Sequence, residues 1–204
     1  MRSRLNKALL ISSALLVSSV LSGCGGASHT DDGVPPNAII TLSDDFTGDF
    51  DLVDQTGAPV TDEDIEGGPA VFYFGFANCP DVCPLSLGTL SAALELLSDE
   101  ENAKLSPVFV TVDPERDTPE ALAEFLSLVD TRIKGLTGSV EAIENAKSGF
   151  KMAAEKVPLE ESALGYTMTH MSLFYILDDQ GTPQIAVHDS VTPAELAAVV
   201  RRYL

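Results

Sequence analysis

The 204-residue chain contains no tryptophan, three cysteines and three histidines, and it sets 12 Lys+Arg against 31 Asp+Glu. Each scarcity removes a class of protein. Three cysteines cannot staple a disulfide-dense secreted scaffold. A formal charge of −19 leaves too few cations to neutralise a phosphate backbone, which excludes nucleic acid as a partner. The N-terminal apolar run, Ala8 to Leu21, falls short of the ~20 residues a bilayer span takes. What the chain does have is 45% hydrophobic residues, enough for one sizeable core in a single domain or at most two small ones.

Residues 1–23 read as an address. Arg2, Arg4 and Lys7 form a positive start, and the apolar run that follows is interrupted only by serines. It ends in Leu21-Ser22-Gly23-Cys24, which resembles the bacterial lipobox: Cys24 is then lipidated and becomes the first residue of the mature chain. Removing this leader takes away three cations and no acid. The remaining body is repelled by anionic headgroups, so acyl chains must provide the anchor. Residues 24–38, rich in Gly, Ser, Asp and Pro, cannot bury apolar area and read as a flexible tether. These features place the body outside the cytoplasm, in the periplasm or outside the cell, on a bacterial membrane.

Residues 39–204 alternate strands and helices. Phe50–Val53 and Gln55–Val60 predict a hairpin turning near Gly57. Ala70–Phe76 is a continuous apolar run, as expected of a strand buried on both faces. Leu87, Leu90, Leu94 and Leu97 fall at helical spacing within 85–97. Pro107–Val112 predicts a second buried strand, and Thr118-Pro119 opens a helix with Leu122, Phe125, Leu126 and Val129 inward. Further strands are expected at 133–137, 172–177 and 184–187, and helices at 140–150 and 192–202. The pattern predicts one α/β domain with a mixed sheet.

The chemistry-bearing residues follow the first buried strand, in Asn78-Cys79-Pro80-Asp81-Val82-Cys83-Pro84. A strand-to-helix turn offers backbone N–H groups and the positive helix end, which favour a thiolate. Four residues apart at the start of a helix, Cys79 and Cys83 face one side and can share a metal ion or close a disulfide. Two thiolates select Cu(I) or Zn but leave it short of a donor. Of the three histidines, His29 lies in the tether and His188 ends the last hairpin. His170 precedes the 172–177 strand, where a loop can cross in front of the cysteine turn, and is the preferred third donor.

Three stretches together carry a wider resemblance: Cys79-Pro-Asp-Val-Cys83-Pro, Val112-Asp113-Pro114-Glu115-Arg116-Asp117-Thr118-Pro119-Glu120, and Tyr166-Thr167-Met168-Thr169-His170. With Gly135-Leu136-Thr137-Gly138 they resemble the SCO/SenC family over roughly residues 40–204. The resemblance implies a thioredoxin-like fold, a membrane tether, and one copper ion, Cu(I) or Cu(II), held by Cys79, Cys83 and His170. Asp113, in the family's Asp-Pro motif, is expected to support a ligand from behind. The implied partner is the subunit carrying the dinuclear copper site of cytochrome c oxidase, or another copper acceptor. Met168 and Met171 flank the histidine where the family tends to have small or polar residues, and read as packing residues.

The reading is thus a metallochaperone that hands copper on, rather than an enzyme. The alternative is a thiol–disulfide oxidoreductase cycling Cys79 and Cys83 on the thiols of the copper site or others in the periplasm. A peroxidase on the same fold is disfavoured: position 76, three before Cys79, is Phe where a peroxiredoxin-like site has Thr, and a glutathione-peroxidase-like site needs the missing tryptophan.

Overall fold

The computed structural model of the chain describes residues 33–204 apart from positions 66, 161 and 163. The leader, Cys24, His29 and most of the expected tether lie outside the described residues. Residues 33–38 do not behave as tether: Val34 and Ala38 are buried in the core, and Pro36–Ala38 form a 3-10 turn. The chain then runs straight into strand β1 (Ile39–Thr41).

Among the described residues, ten strands and five α-helices follow one another. The large sheet has eight strands in the order β1-β10-β9-β4-β5-β6-β2-β3. Its centre is β4 (Ala70–Gly75) and β5 (Ser106–Thr111), paired in parallel, with β6 (Lys134–Thr137) parallel to β5. On one side β9 (Leu173–Leu177) runs antiparallel to β4, followed by β10 (Pro183–His188) and β1. On the other, the predicted hairpin, β2 (Asp51–Asp54) and β3 (Pro59–Thr61), adds to β6. Every residue of β4 and β9 is buried, as their unbroken apolar runs require.

Alternation along β4 sorts the two layers. Phe72 and Phe74 meet Phe150, just beyond α4 (Val140–Gly149), with ring centroids 5.1 Å apart in each pair. Tyr73 and Gly75 point the other way, where α1 (Val82–Glu95) covers them. Leu87, Leu90 and Leu94 are the buried stripe of α1, which packs on α5 (Pro193–Val200). Phe125 of α3 (Pro119–Ser127) tilts onto Phe109, beside Gly75 on the α1 side. The helix predicted at 85–97 therefore starts three residues earlier, taking Cys83 into its first turn. The acidic run Asp99-Glu100-Glu101 forms α2 (Asp99–Asn102), whose capping box joins Ser98 and Glu101.

One element is absent from the sequence reading. Strands β7 (Ala154–Pro158) and β8 (Tyr166–His170) form a separate two-stranded sheet, paired with each other and with no strand of the large sheet. His170 is the last residue of β8, not part of a loop.

Candidate metal centre

Sheet direction brings the motif residues to one edge. β4 and β5 are parallel, so Cys79 and Asp113–Asp117 leave the sheet at the same carboxyl end, where α/β sheets gather function. β9 is antiparallel to β4, with Phe174 opposite Tyr73, so the segment entering β9 arrives at that edge too. That segment carries His170.

Cys83 is fully buried against the end of β4. A Cβ at position 75 would lie 2.8 Å from its Sγ and 2.8 Å from Phe109 Cε2, so glycine there makes room for the sulfur. Cys79 is partly exposed, its N–H bonded to the Phe76 carbonyl at 3.2 Å, and its Sγ accepts the Cys83 N–H at 3.4 Å. Both cysteines are free thiols. His170 Nε2 lies 3.5 Å from Cys83 Sγ. The imidazole stands edge-on to Tyr73 and Phe76, with ring centroids 6.3 and 6.0 Å away.

The proton arrangement follows from these partners. His170 Nδ1 is 3.0 Å from the Met171 carbonyl, which can only accept, so Nδ1 carries the hydrogen and Nε2 presents its lone pair to Cys83. Burial lowers the pKa of His170, against opposing contributions from the Met171 carbonyl and Asp189, and favours the neutral ring that ligates metals. The sequence-based expectation of a facile thiolate is corrected for Cys83. Burial pushes its thiol well up, outweighing a lowering backbone hydrogen bond from Phe76, and Cys79 and Asp117 push it further. Cys83 rests as a thiol donating toward His170, and a soft cation would displace that proton.

Among the described residues, no three His, Cys, Asp or Glu side chains already stand together as a finished metal cage. The three donors are instead arranged around Cys83, which neighbours both Cys79 and His170. Two sulfurs and one imidazole are a chemically suitable set for a soft ion, and closing them onto it requires the outer donors to draw in.

Asp113 makes no hydrogen bond to Cys79, Cys83 or His170. Its carboxylate, 3% exposed, is bound by Arg116 Nε at 2.5 Å and by the Tyr166 hydroxyl at 2.7 Å. The carboxylate next to the cysteine turn is Asp117, which sequence reasoning did not single out. Its Oδ2 accepts from Ala77 N–H at 2.9 Å and Thr111 Oγ1 at 2.6 Å, while Oδ1 is buried with no hydrogen-bond partner. Burial raises its pKa, and the Thr111 and Ala77 bonds partly offset that. Met168 packs on the core, while Met171 is 41% exposed and meets His170 through its carbonyl. His188 is exposed at the end of β10, opposite Leu173.

Fold and site together define a thioredoxin-like protein whose cysteine turn faces a histidine delivered on a separate hairpin. A family model described as SCO1/SenC matches residues 40–204. The SCO2-like protein of Rickettsia conorii is 34% identical over 154 residues, covering 76% of this chain and 75% of that one. The structure of Bradyrhizobium japonicum ScoI with copper bound is 38% identical, with a TM-score of 0.71 over 78% of this chain and 99% of that one. A SCO1/SenC family lipoprotein from Bacillus anthracis, 28% identical, has a TM-score of 0.63 over 76% and 92%. The chain belongs to the SCO1/SenC family. No helix among the described residues is long and apolar enough to cross a membrane.

Proposed function

We propose that this protein is a copper carrier that takes one ion between Cys79, Cys83 and His170 and passes it to the dinuclear copper site of cytochrome c oxidase. The observation that carries the proposal is the 3.5 Å approach of His170 Nε2 to Cys83 Sγ, which joins residues 87 apart in sequence. Membership of a family with a copper-bound relative supports it. Copper is cargo here. The partly exposed Cys79 is the donor an incoming acceptor thiol can reach, and ligand exchange starts there while Cys83 and His170 keep hold from inside. Cys24 bears the lipid anchor, residues 1–23 are the removed leader, and the acyl chains hold the domain at a membrane facing the periplasm or its equivalent. The lipobox-like sequence and the lipoprotein relative support that placement.

Anaerobic titration with Cu(I) tests the proposal. One equivalent should bind to the wild type, and Cys79→Ser and Cys83→Ser should each abolish tight uptake. Full binding by the double serine variant would refute it.

A second reading is favoured by one observation, the two free and neighbouring thiols of unequal exposure. Cys79 could attack an acceptor disulfide, and Cys83 would resolve the mixed disulfide. The acceptor gains two electrons and two protons while Cys79 and Cys83 form a bond between their sulfurs. His170→Ala separates the two readings: it should weaken copper binding but leave most of the exchange rate.

A further inference from the structure

The β7–β8 hairpin poses a mechanical problem. An isolated two-stranded hairpin is marginal in water, and in this one β7 is mostly exposed and β8 only half-buried. Yet its last residue must hold an imidazole steady beside a buried sulfur. Strand alternation puts Tyr166, Met168 and His170 on one face. Met168 packs on the core and His170 meets Cys83. Tyr166 is gripped far more elaborately than a partly exposed tyrosine requires. Arg116 Nη1 donates to its carbonyl at 3.0 Å, and its hydroxyl donates to Asp113 Oδ1 at 2.7 Å. Two cations lie over its ring, the Arg116 guanidinium and the Lys156 ammonium, each 3.8 Å from the centroid. Both are fixed in turn, Arg116 by Asp113 and Lys156 by Glu115 at 2.5 Å. Arg116 also comes within 6.0 Å of the Phe76 ring centroid, and Phe76 is one wall of the His170 site.

We propose that Tyr166 and Arg116 are positioning residues: their clamp fixes the hairpin to the loop between β5 and α3 and so sets the reach of His170 toward the two cysteines. Asp113 and Glu115 anchor the clamp, which gives the Asp-Pro motif a role in holding the hairpin. Tyr166 and His170 are on the same strand four residues apart, so a hinge loosened at Tyr166 displaces the imidazole while the cysteine turn stays in place. The clamp's role in binding presupposes the copper reading above, but its hold on the hairpin does not.

The test uses the full chain and two readouts. In metal-free protein, hydrogen exchange of the β7–β8 amides should rise about tenfold in Tyr166→Ala, and less in Tyr166→Phe, which keeps the stacked ring and loses the hydroxyl bond. The unfolding midpoint of the large sheet, followed in parallel, should change little, showing that the loosening is local. For Cu(I) affinity, Tyr166→Ala should lose about tenfold or more, with Tyr166→Phe again intermediate. Added to His170→Ala, it should cost less than about twofold further, because the clamp acts through that imidazole. Unchanged hairpin exchange in Tyr166→Ala would overturn the proposal. So would an undiminished affinity loss in the His170→Ala background, which would mark Tyr166 as a general structural residue. A wild type that takes up no copper would sink the copper reading, while the exchange measurement still decides whether the clamp exists.

Discussion

Gly75 should tolerate no side chain, and the cost is calculable. An added Cβ would meet Cys83 Sγ and Phe109 Cε2, both at 2.8 Å, and Tyr73 Cε1 at 3.3 Å, against an ordinary carbon contact of about 3.5–4.0 Å. Retreat is blocked on several sides. The Gly75 carbonyl accepts from Val112 N–H at 2.7 Å, Gly75 is in register with Thr111, and Cys83 and Phe109 are fully buried. Overpacking of this kind costs about 1–3 kcal/mol. At about 2 kcal/mol, Gly75→Ala should lower the melting temperature by about 4–8 °C. The sulfur is the softest of the three obstacles, so part of the strain should appear as displacement of Cys83 and weaker copper binding. Gly88 is the control: it is exposed on α1, an added Cβ there meets nothing within 4 Å, and Gly88→Ala should stabilise by up to about 1 kcal/mol. Denaturant unfolding of both variants measures the pair. Equal stabilities, or a Gly75→Ala variant with full stability and full copper affinity, would refute the packing argument.

Other outcomes follow from the same structure. A carboxyl with a raised native pKa favours folding below the ordinary carboxylate range and loses that contribution as pH rises through its native value. Asp117→Asn, which keeps an oxygen for Ala77 and Thr111, should therefore gain stability relative to wild type between about pH 4 and pH 7; a flat difference in denaturation midpoints across that range contradicts the assignment. Thr192→Ala removes half of the capping box of α5, in which Thr192 Oγ1 accepts from Glu195 N–H and Glu195 Oε2 from Thr192 N–H, and should cost about 1 kcal/mol of unfolding free energy. Met171 meets the histidine through its backbone carbonyl and is 41% exposed, so Met171→Leu should leave Cu(I) affinity within about twofold in a competition titration; a larger loss would make its thioether a donor.

The central strands were legible because burial on both faces leaves an unbroken apolar run, as in Ala70–Gly75 and Leu173–Leu177. The helices opened by Thr118-Pro119 and Thr192-Pro193 were legible because capping chemistry is local. The β7–β8 hairpin was not. Ala154–Pro158 is mostly exposed, with Glu155 and Lys156 charged, so its sequence carries no burial period, and its support comes from Tyr166 and Arg116, 50 residues apart. The cysteine pair could be found from spacing. His170 could be nominated by elimination among three histidines, but its strand could not be seen. The thiol expectation failed at Cys83 because the sequence shows a helix N-terminus and not the depth at which the sulfur is packed. Asp117 was hidden within its motif by Asp113, the acid that happens to precede proline.

Copper K-edge X-ray absorption on the Cu(I)-loaded protein addresses the convergence of donors most directly. The account predicts two sulfur neighbours and one imidazole nitrogen in the wild type, with the nitrogen lost and both sulfurs kept in His170→Ala. Two sulfurs without nitrogen in the wild type, or a nitrogen signal that survives His170→Ala, would contradict it.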